Sequence, residues 1–284
     1  MIGTGARVVR YEQDTLRRLQ LVELEVLRAV DAVCCEHGIP YFLDSGSALG
    51  AVRHGGFIPW DDDVDVGMLR PDYERFLEVA PGALGEGYVV SDPRCRPEQA
   101  GMFAKVWKRG TRFFTEETIE AGIDQGIFVD VFPYDPLHAD SIIARRQQRW
   151  CCLWQSVSYL YHSRHITVPH QGALGALERG ACALAHVAVR ACASPDRIRE
   201  AFESWALRGS DEPGDACATM AYPGTSFLCE TLLPARGILF EGSVFPVPAQ
   251  VEEYLTALYG SGWRELPPVD CRRNHAPVEL DFGG

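Results

Sequence analysis

Residues 43–66 read LDSGSALGAVRHGGFIPWDDDVDV, and this stretch decides how the rest of the chain is interpreted. An apolar run ends at Asp44, a Ser-Gly-Ser turn follows, and residues 48–53 are predicted as a short helix. After a turn at residues 54–56, residues 57–68 are predicted as a strand that bends at Pro59. Four aspartates therefore fall within five positions of a predicted strand, where aspartate is normally depleted.

The alternation of side chains along a strand would divide these aspartates. Asp61, Asp63 and Asp65 would share one face, while Asp62 would join the buried valines on the other. Three clustered carboxylates repel one another unless a cation lies among them, and oxygen-only ligands favour Mg²⁺ or Mn²⁺ over zinc. The alternative is a solvated acidic turn without a ligand.

Two further features favour the metal-site interpretation. Gly46 and Ser47 precede a predicted helix, where N–H groups and a hydroxyl could receive a phosphate; the alternative is an N-cap. Asp130 stands alone in the apolar strand predicted over residues 126–132, so it needs a metal or, alternatively, a structural salt bridge. Together the pattern is typical of a nucleotidyltransferase-type site, in which three carboxylates hold two ions that clamp a nucleotide's phosphates.

The remaining pattern predicts an α+β protein. Residues 14–37 have apolar residues at helical spacing, with Asp14 or Thr15 as the N-cap and Gly38 as the stop signal. Further helices are predicted over residues 71–79 and 249–259, and strands over residues 41–43, 89–90, 103–107 and 237–247.

The middle of the chain has a different composition. Residues 139–203 are rich in Ala and Arg and poor in Gly, which predicts a helical subdomain. Within it, residues 173–193 could form core, a dimer face or a membrane-surface helix, and core is expected. The predicted division is a nucleotidyltransferase-like catalytic core over residues 14–138, a helical subdomain over 139–215, and C-terminal strands, helix and tail over 216–284 that complete the core.

The composition excludes several functional classes. The 284 residues carry a net charge of −12, which argues against binding along a nucleic acid backbone. None of the ten cysteines forms a C-x-x-C motif, so a zinc knuckle has little support. No secretory signal and no uninterrupted apolar run of about 18 residues is found, so a cytoplasmic protein without a transmembrane segment is expected.

Residues 43–66 closely resemble the signature of the LicD family, which also includes fukutin and fukutin-related protein. Residues 126–133, GIFVDVFP, agree further, as do shorter motifs between residues 240 and 268. The resemblance extends over residues 15–275, although residues 139–215 carry no motif that can be placed. It implies a nucleotidyltransferase-like mixed sheet flanked by helices, with an added helical subdomain.

The resemblance also implies an activity. Family members transfer a phospho-alcohol, such as phosphocholine or ribitol phosphate, from a CDP-activated donor to a hydroxyl acceptor. By position, Asp63, Asp65 and Asp130 would be the catalytic and metal-binding carboxylates for Mg²⁺ or Mn²⁺, and Asp61 would be a nearby acid of less certain role.

The resemblance further implies which residues meet the donor phosphates. The candidates for phosphate binding or charge neutralisation are Gly46, Ser47, Arg53, His54, Lys105 and Lys108. Arg53 and His54 could equally pin the turn by contacting Asp61 or Asp62, and the two lysines could simply be solvated. Arg273 and His275 are expected to fold back on the site.

The acceptor and the reaction stay open at this stage. No N-terminal membrane anchor is recognisable, so the expected acceptor is a glycan precursor or a specialised metabolite. A nucleotidyltransferase would use the same residues but release pyrophosphate instead of CMP. A non-catalytic nucleotide-binding protein or a metal-dependent phosphohydrolase could also carry this pattern of residues.

Overall fold

The computed structural model describes residues 11–164, 170, 172–222 and 224–283. The helices are α1 (Gln13–His37), α2 (Ser45–His54), α3 (Arg70–Ala83), α4 (Glu116–Ala121), α5 (Ser141–His162), α6 (Gly172–Cys192), α7 (Pro195–Ala206), α8 (Cys229–Leu232) and α9 (Val251–Tyr259). The strands are β1 (Phe42–Leu43), β2 (Asp65–Leu69), β3 (Tyr88–Ser91), β4 (Ala104–Lys108), β5 (Arg112–Phe114), β6 (Phe128–His138), β7 (Pro213–Thr219), β8 (Phe227–Leu228), β9 (Arg236–Phe240), β10 (Ser243–Val247) and β11 (Glu279–Asp281).

The central sheet is mixed, which confirms the predicted α+β class. Its main strands run in the order β1-β2-β6-β4-β3, and β7 pairs with the second half of β6. β2 and β6 are parallel, whereas β6 is antiparallel to β4. The register of the parallel pair places Asp65 opposite Asp130. Two predicted site residues from distant parts of the chain are therefore neighbours on adjacent inner strands, near the start of each strand.

Helix α1 covers the predicted range and supplies a long buried stripe to the core. Leu19, Leu27 and Val30 are fully buried along it. The predicted N-caps are wrong by a few residues, because the N-cap is Glu12 and its side chain makes no capping hydrogen bond. The predicted stop is confirmed: Gly38 has a φ of 60°, a left-handed conformation that glycine adopts without steric cost.

Strand β2 is shorter than predicted. The prediction began the strand at residue 57, but residues 57–64 form a turn and an extended loop, and the ladder starts at Asp65. Pro59 lacks an N–H group, and the Asp61 N–H donates to the Ile58 carbonyl oxygen, so this segment turns before it can pair. The exposure of residues 61–66 nevertheless alternates as predicted: the aspartates at 61, 63 and 65 are half-buried, and residues 62, 64 and 66 are buried.

Helix α2 begins three residues earlier than predicted. Asp44 occupies the N-cap position, and Ser45 adopts a left-handed φ of 45°. Gly46 and Ser47 therefore lie in the first turn of the helix and not in a preceding turn. The first N–H groups of a helix have no partner within the helix, so this position keeps its capacity for binding an anion.

The predicted helical stretch contains α5, α6 and α7. Side chains of α5 and α7 share a buried cluster with Leu137 of β6 and Ala218 of β7, including Cys151, Ile198 and Phe202. These helices therefore pack directly on the second half of the central sheet. The division of the chain into three domains stays a prediction.

Helix α6 does not lie in the core. Leu177 and Leu184 of α6 are 70% and 75% exposed, so the expected core position of residues 173–193 is wrong. None of the described helices is long and apolar enough to cross a membrane. The ten cysteines are all present as free thiols.

Candidate active site

The acidic loop and two strands bring four aspartates together. Asp61 and Asp63 lie in the loop, Asp65 begins β2, and Asp130 lies in β6. The Asp130 N–H donates to the Val64 carbonyl oxygen over 2.9 Å, which attaches β6 to the end of the loop. Desolvation raises the pKa of Asp65 well above its usual value, and the charges of Asp63 and Asp130 raise it further. The predicted acids therefore converge closely enough to repel one another.

The pKa values of the other acids in the cluster are raised as well. Desolvation, followed by the charges of Asp63 and Asp62, raises the pKa of Asp61 well above its usual value. The pKa of Asp130 is also raised by desolvation, against the opposing effect of Lys105. Such a group of carboxylates is stabilised by any cation that enters it.

Lys105 is one cation that the chain itself supplies. Its Nζ atom lies 2.5 Å from Asp130 Oδ1 and 3.7 Å from the centre of the Phe128 ring. The salt bridge considered for Asp130 in place of a metal is therefore present. Since the charge of Lys105 also lowers the pKa of Asp63, the lysine is placed to contact a phosphate bound there.

Lys108 points elsewhere. Its Nζ atom pairs with Glu25 Oε2 of α1 over 2.7 Å. Lys105 and Lys108 are three residues apart in β4, so their side chains leave opposite faces of the strand. Of the two predicted lysines, Lys105 therefore pairs with an aspartate of the site. The prediction for Lys108 is corrected, because this residue pairs with Glu25 of α1.

His275 brings a second positive charge from the C-terminal tail, as expected for residues that fold back on the site. Its Nδ1 atom lies 3.4 Å from Asp62 Oδ1 and 3.5 Å from Asp63 Oδ2. Burial lowers the pKa of His275, but the charges of Asp63 and Asp62 outweigh this effect and raise it to about 10. The two acids therefore favour the protonated form of His275.

Asp62 ties three separate parts of the chain together. Its fully buried carboxylate accepts hydrogen bonds from the His275 N–H at 2.8 Å, the Ala276 N–H at 2.9 Å and the Tyr11 hydroxyl at 2.7 Å. Burial raises the pKa of Asp62, but the hydrogen bonds and charge of His275 lower it more strongly. Asp62 thus holds the tail beside its neighbours in the acidic loop.

Gly46 and Ser47 lie against the same acids. A Cβ atom at Gly46 would be only 3.0 Å from Asp61 Oδ2, so a larger residue would have to displace the carboxylate. The Ser47 Oγ atom accepts a hydrogen bond from the Asp65 N–H over 2.9 Å. The first turn of α2 is therefore attached directly to the start of β2.

Arg53 and His54 occupy the other end of α2. Arg53 Nη1 donates to the carbonyl oxygens of Trp263 and Glu265, at 2.8 and 3.2 Å, and Arg53 Nε donates to His54 Nε2. The hydrogen bonds of Arg53 therefore go to residues 263–265 and to His54, and the charge of Asp61 acts on its guanidinium without a hydrogen bond between them. Both side chains leave the end of the ten-residue helix opposite to Gly46.

Sequence reasoning missed the group that anchors α2. The buried carboxylate of Asp44 accepts hydrogen bonds from the hydroxyls of Tyr134, on β6, and Tyr254, on α9. Desolvation raises the pKa of Asp44, although these bonds act against it. In the sequence, Asp44 is recognisable only as the acid that ends an apolar run. No local pattern predicts that the two tyrosines are its hydrogen-bond partners.

Glu23 was also missed. It lies on the buried side of α1, and its Oε2 atom has no hydrogen-bond partner. Desolvation and then the charges of Asp63, Asp62, Asp61 and Asp130 raise its pKa well above the usual value. In the sequence, Glu23 differs from other acids only in its position among the apolar residues that line the buried side of α1.

Potential metal ligands near the acidic loop form one close group. In the described part of the chain, Asp62, Asp63 and His275 are the residues whose potential ligand atoms lie within 4.8 Å of one another. This set shares only Asp63 with the predicted one, and Asp130 forms an ion pair with Lys105 instead. The surrounding carboxylate oxygens and the unpartnered Glu23 oxygen fit a hard divalent ion such as Mg²⁺ or Mn²⁺.

Comparison with protein families identifies the segment that carries these acids. Residues 38–157 match the family described as LicD/FKTN/FKRP, nucleotidyltransferase domain. This segment is a LicD-family domain. The LicD domain includes Asp44, the acidic loop, Lys105 and Asp130, but Glu23, Tyr254 and His275 lie outside it. The match is narrower than the predicted resemblance over residues 15–275.

Named relatives of the LicD domain are phospho-alcohol transferases. The chain is 38% identical over 122 residues to the lipopolysaccharide cholinephosphotransferase LicD of Haemophilus influenzae. The aligned segment covers 43% of this chain and 44% of that protein. It is 29% identical over 147 residues to the human ribitol 5-phosphate transferase FKRP, covering 51% of this chain and 26% of that protein. The matches thus span less than half the length of these relatives.

Proposed function

We propose that this protein is a metal-dependent transferase that moves a phospho-alcohol from a CDP-activated donor to a hydroxyl acceptor and releases CMP. The observation that carries the proposal is the strand register that places Asp65 beside Asp130 within the LicD domain, with Asp63 in the adjoining acidic loop. The named relatives, which transfer choline phosphate and ribitol phosphate, support the same class of donor. The proposed acceptor is a glycan or a small metabolite.

Asp63, Asp65 and Asp130 would hold Mg²⁺ or Mn²⁺ in this proposal. When bound, the ion neutralises charge on the donor diphosphate and on the leaving oxygen. The N–H groups at Gly46 and Ser47 would receive the donor phosphates, with Lys105 as a further cation beside them. Asp61 would lie beside this first turn, where its carboxylate fills the space that a side chain at Gly46 would need.

The transfer would be an in-line displacement. The acceptor oxygen forms a bond to the β-phosphorus of the donor, the bond from that phosphorus to the CMP oxygen breaks, and CMP leaves with the electron pair. The hydroxyl proton passes to the carboxylate of Asp65 or Asp130. No covalent enzyme intermediate is needed, because positioning and charge neutralisation account for most catalysis of phosphoryl transfer.

The proposal is tested with a panel of CDP-alcohols and nucleoside triphosphates, incubated with candidate acceptors and Mg²⁺ and analysed by mass spectrometry. We expect CMP and an acceptor that has gained the phospho-alcohol. Asp63→Asn and Asp65→Asn should each lower turnover at least about a hundredfold. Asp124→Asn, which changes an exposed acid in the same way, should leave turnover unchanged.

The same experiment separates the competing functions. Release of pyrophosphate from a nucleoside triphosphate would identify nucleotidyl transfer, and donor cleavage without an acceptor would identify a hydrolase. Nucleotide binding without turnover, unaffected by Mg²⁺ in calorimetry, would support a non-catalytic protein. Near-full turnover in both aspartate variants would reject the assignment of the site.

A further inference from the structure

The exposed side of α6 is apolar along most of the helix. The exposed apolar side chains are Leu174, Leu177, Leu184 and Val187, and the last three are at least 66% exposed. The side that faces the rest of the protein contains Cys182, His186 and Val189. A surface helix of a water-soluble protein normally shows the opposite arrangement, with its polar side outward.

Helix α5 adds exposed arginines beside apolar side chains. Arg145, Arg146 and Arg149 are all exposed, and α5 contains no acidic residue. Trp150 and Leu153 are exposed on the same helix. A surface that combines arginine, tryptophan and aliphatic side chains is typical of helices that lie in the plane of a membrane interface.

The two helices are in direct contact. The His186 ring of α6 hydrogen-bonds to the Leu160 carbonyl oxygen of α5 over 2.7 Å, and the Arg190 guanidinium lies over the Tyr161 ring at 5.4 Å. These contacts join the C-terminal parts of the two helices. We call the exposed residues of α5 and α6 together the α5–α6 face.

The charge of this region is opposite to that of the whole chain. Helices α5 and α6 together contain five arginines and one acidic residue, which gives a net charge of +4, whereas the whole chain carries −12. An anionic lipid surface supplies the complementary charge and an apolar layer for the leucines.

From this combination we infer that the α5–α6 face binds the surface of an anionic lipid bilayer. The leucines of α6 enter the boundary between head groups and acyl chains, and the arginines of α5 contact the lipid phosphates. This inference does not depend on the proposed transferase activity, because it uses none of the residues of the acidic site.

The test is sedimentation of the full chain with lipid vesicles, without donor, acceptor or metal. Vesicles of phosphatidylglycerol and phosphatidylcholine in equal amounts are compared with vesicles of phosphatidylcholine alone. We expect the protein to sediment with the anionic vesicles, and to be released as salt rises from about 0.1 to 0.5 M. Tryptophan fluorescence, to which Trp150 contributes as one of six tryptophans, should shift to shorter wavelength on binding.

Two variants separate the apolar and charged contributions. Leu177→Glu with Leu184→Glu should weaken binding more than about tenfold, because neither side chain then enters the interface. Arg145→Gln with Arg149→Gln should weaken binding to anionic vesicles by about fivefold for each arginine. The matched control is Leu239→Glu with Leu266→Glu, which adds the same charge at leucines that are 57% and 56% exposed elsewhere.

The α6 variant changes side chains that are 70% and 75% exposed, so circular dichroism should show an unchanged fold. Wild-type protein that stays in the supernatant with both kinds of vesicle would overturn the inference. Equal sedimentation of wild type and the Leu177/Leu184 variant would also overturn it. A wild-type dimer in light scattering that this variant dissociates would instead assign the face to a second copy.

Discussion

The aspartates of the acidic loop differ in what each carboxylate contacts. Asp61, Asp63 and Asp65 are half-buried beside other acids, whereas Asp62 is fully buried among hydrogen-bond donors. Burial raises the pKa of Asp65, but donors lower the pKa of Asp62 in spite of burial. Neighbouring residues of one motif are therefore expected to respond in opposite ways to the same substitution.

Asp65→Asn is expected to stabilise the metal-free protein. It removes one negative charge that Asp63 and Asp130 repel, while the backbone bond to Ser47 is retained. In EDTA, the melting temperature should rise above that of wild type even though turnover is lost. Asp124→Asn serves as the control, and a lower melting temperature for Asp65→Asn would contradict the proposed repulsion.

Asp62→Asn is expected to destabilise the protein by about 2–3 kcal/mol, because charged acceptors make the stronger hydrogen bonds. Urea unfolding measures the loss. Hydrogen exchange should accelerate at the His275 and Ala276 amides, which donate to this carboxylate. Tyr11→Phe removes one of the same bonds and should cost only about 1 kcal/mol. Unchanged protection of both amides would show that Asp62 does not hold the tail.

At the scale of elements, an arginine connects helices that lie far apart in the chain. Arg94 follows β3 and donates to Glu74 of α3, at 2.7 Å, and to Glu203 of α7, at 3.0 Å. The hydrogen bond from Arg94 is the main reason that the pKa of Glu74 is lowered. A carboxylate with a lowered pKa stabilises the folded state above its unfolded pKa, and this contribution disappears as the pH falls through the folded pKa.

Glu74→Gln should therefore cost stability near neutral pH and little in acid. Because Glu74 and Arg94 are each 40% exposed, the loss at pH 7 should be at most about 1 kcal/mol. The difference from wild type should shrink as the pH falls below about 4.5. Urea unfolding at several pH values measures it, and Glu78→Gln, on an exposed position of the same helix, should have no effect. A loss that persists in acid would refute the ionic explanation.

Short elements were harder to predict than long ones. Helix α1 follows its apolar spacing over 25 residues and was predicted to within one residue at its start. The starts of α2 and β2 were misplaced, because they depend on Asp44 meeting two distant tyrosines and on a turn at Pro59. Periodicity cannot report such contacts, since each partner lies on another element.

At the scale of the whole molecule, the acidic site draws on residues from both sides of the LicD domain. Glu23 comes from α1, before residue 38, and His275 from the tail, after residue 157. His275 and Lys105 together supply positive charge to the aspartates. The domain alone therefore lacks part of the electrostatic balance of the site.

Mg²⁺ or Mn²⁺ should raise the melting temperature of the whole protein. An ion that binds only the folded state at about a hundredfold excess over Kd adds about 2.7 kcal/mol, or roughly 5 °C for a chain of this size. EDTA should reverse the shift, and Asp63→Asn should abolish it. Asp124→Asn should behave as wild type. Equal melting temperatures with and without the ions would remove the support for a metal site.

The amino-acid sequence by itself determined the α+β class, the long first helix, and the clustering of acids at residues 61–65 and 130. It could do so because helical spacing, strand alternation and isolated charges are local properties of the chain. Only the tertiary structure decided that Asp62 holds the tail, that Lys105 and not Lys108 meets the acids, and that α6 faces outward. Each of these depends on which distant side chain occupies the space opposite, and sequence spacing carries no information about that partner.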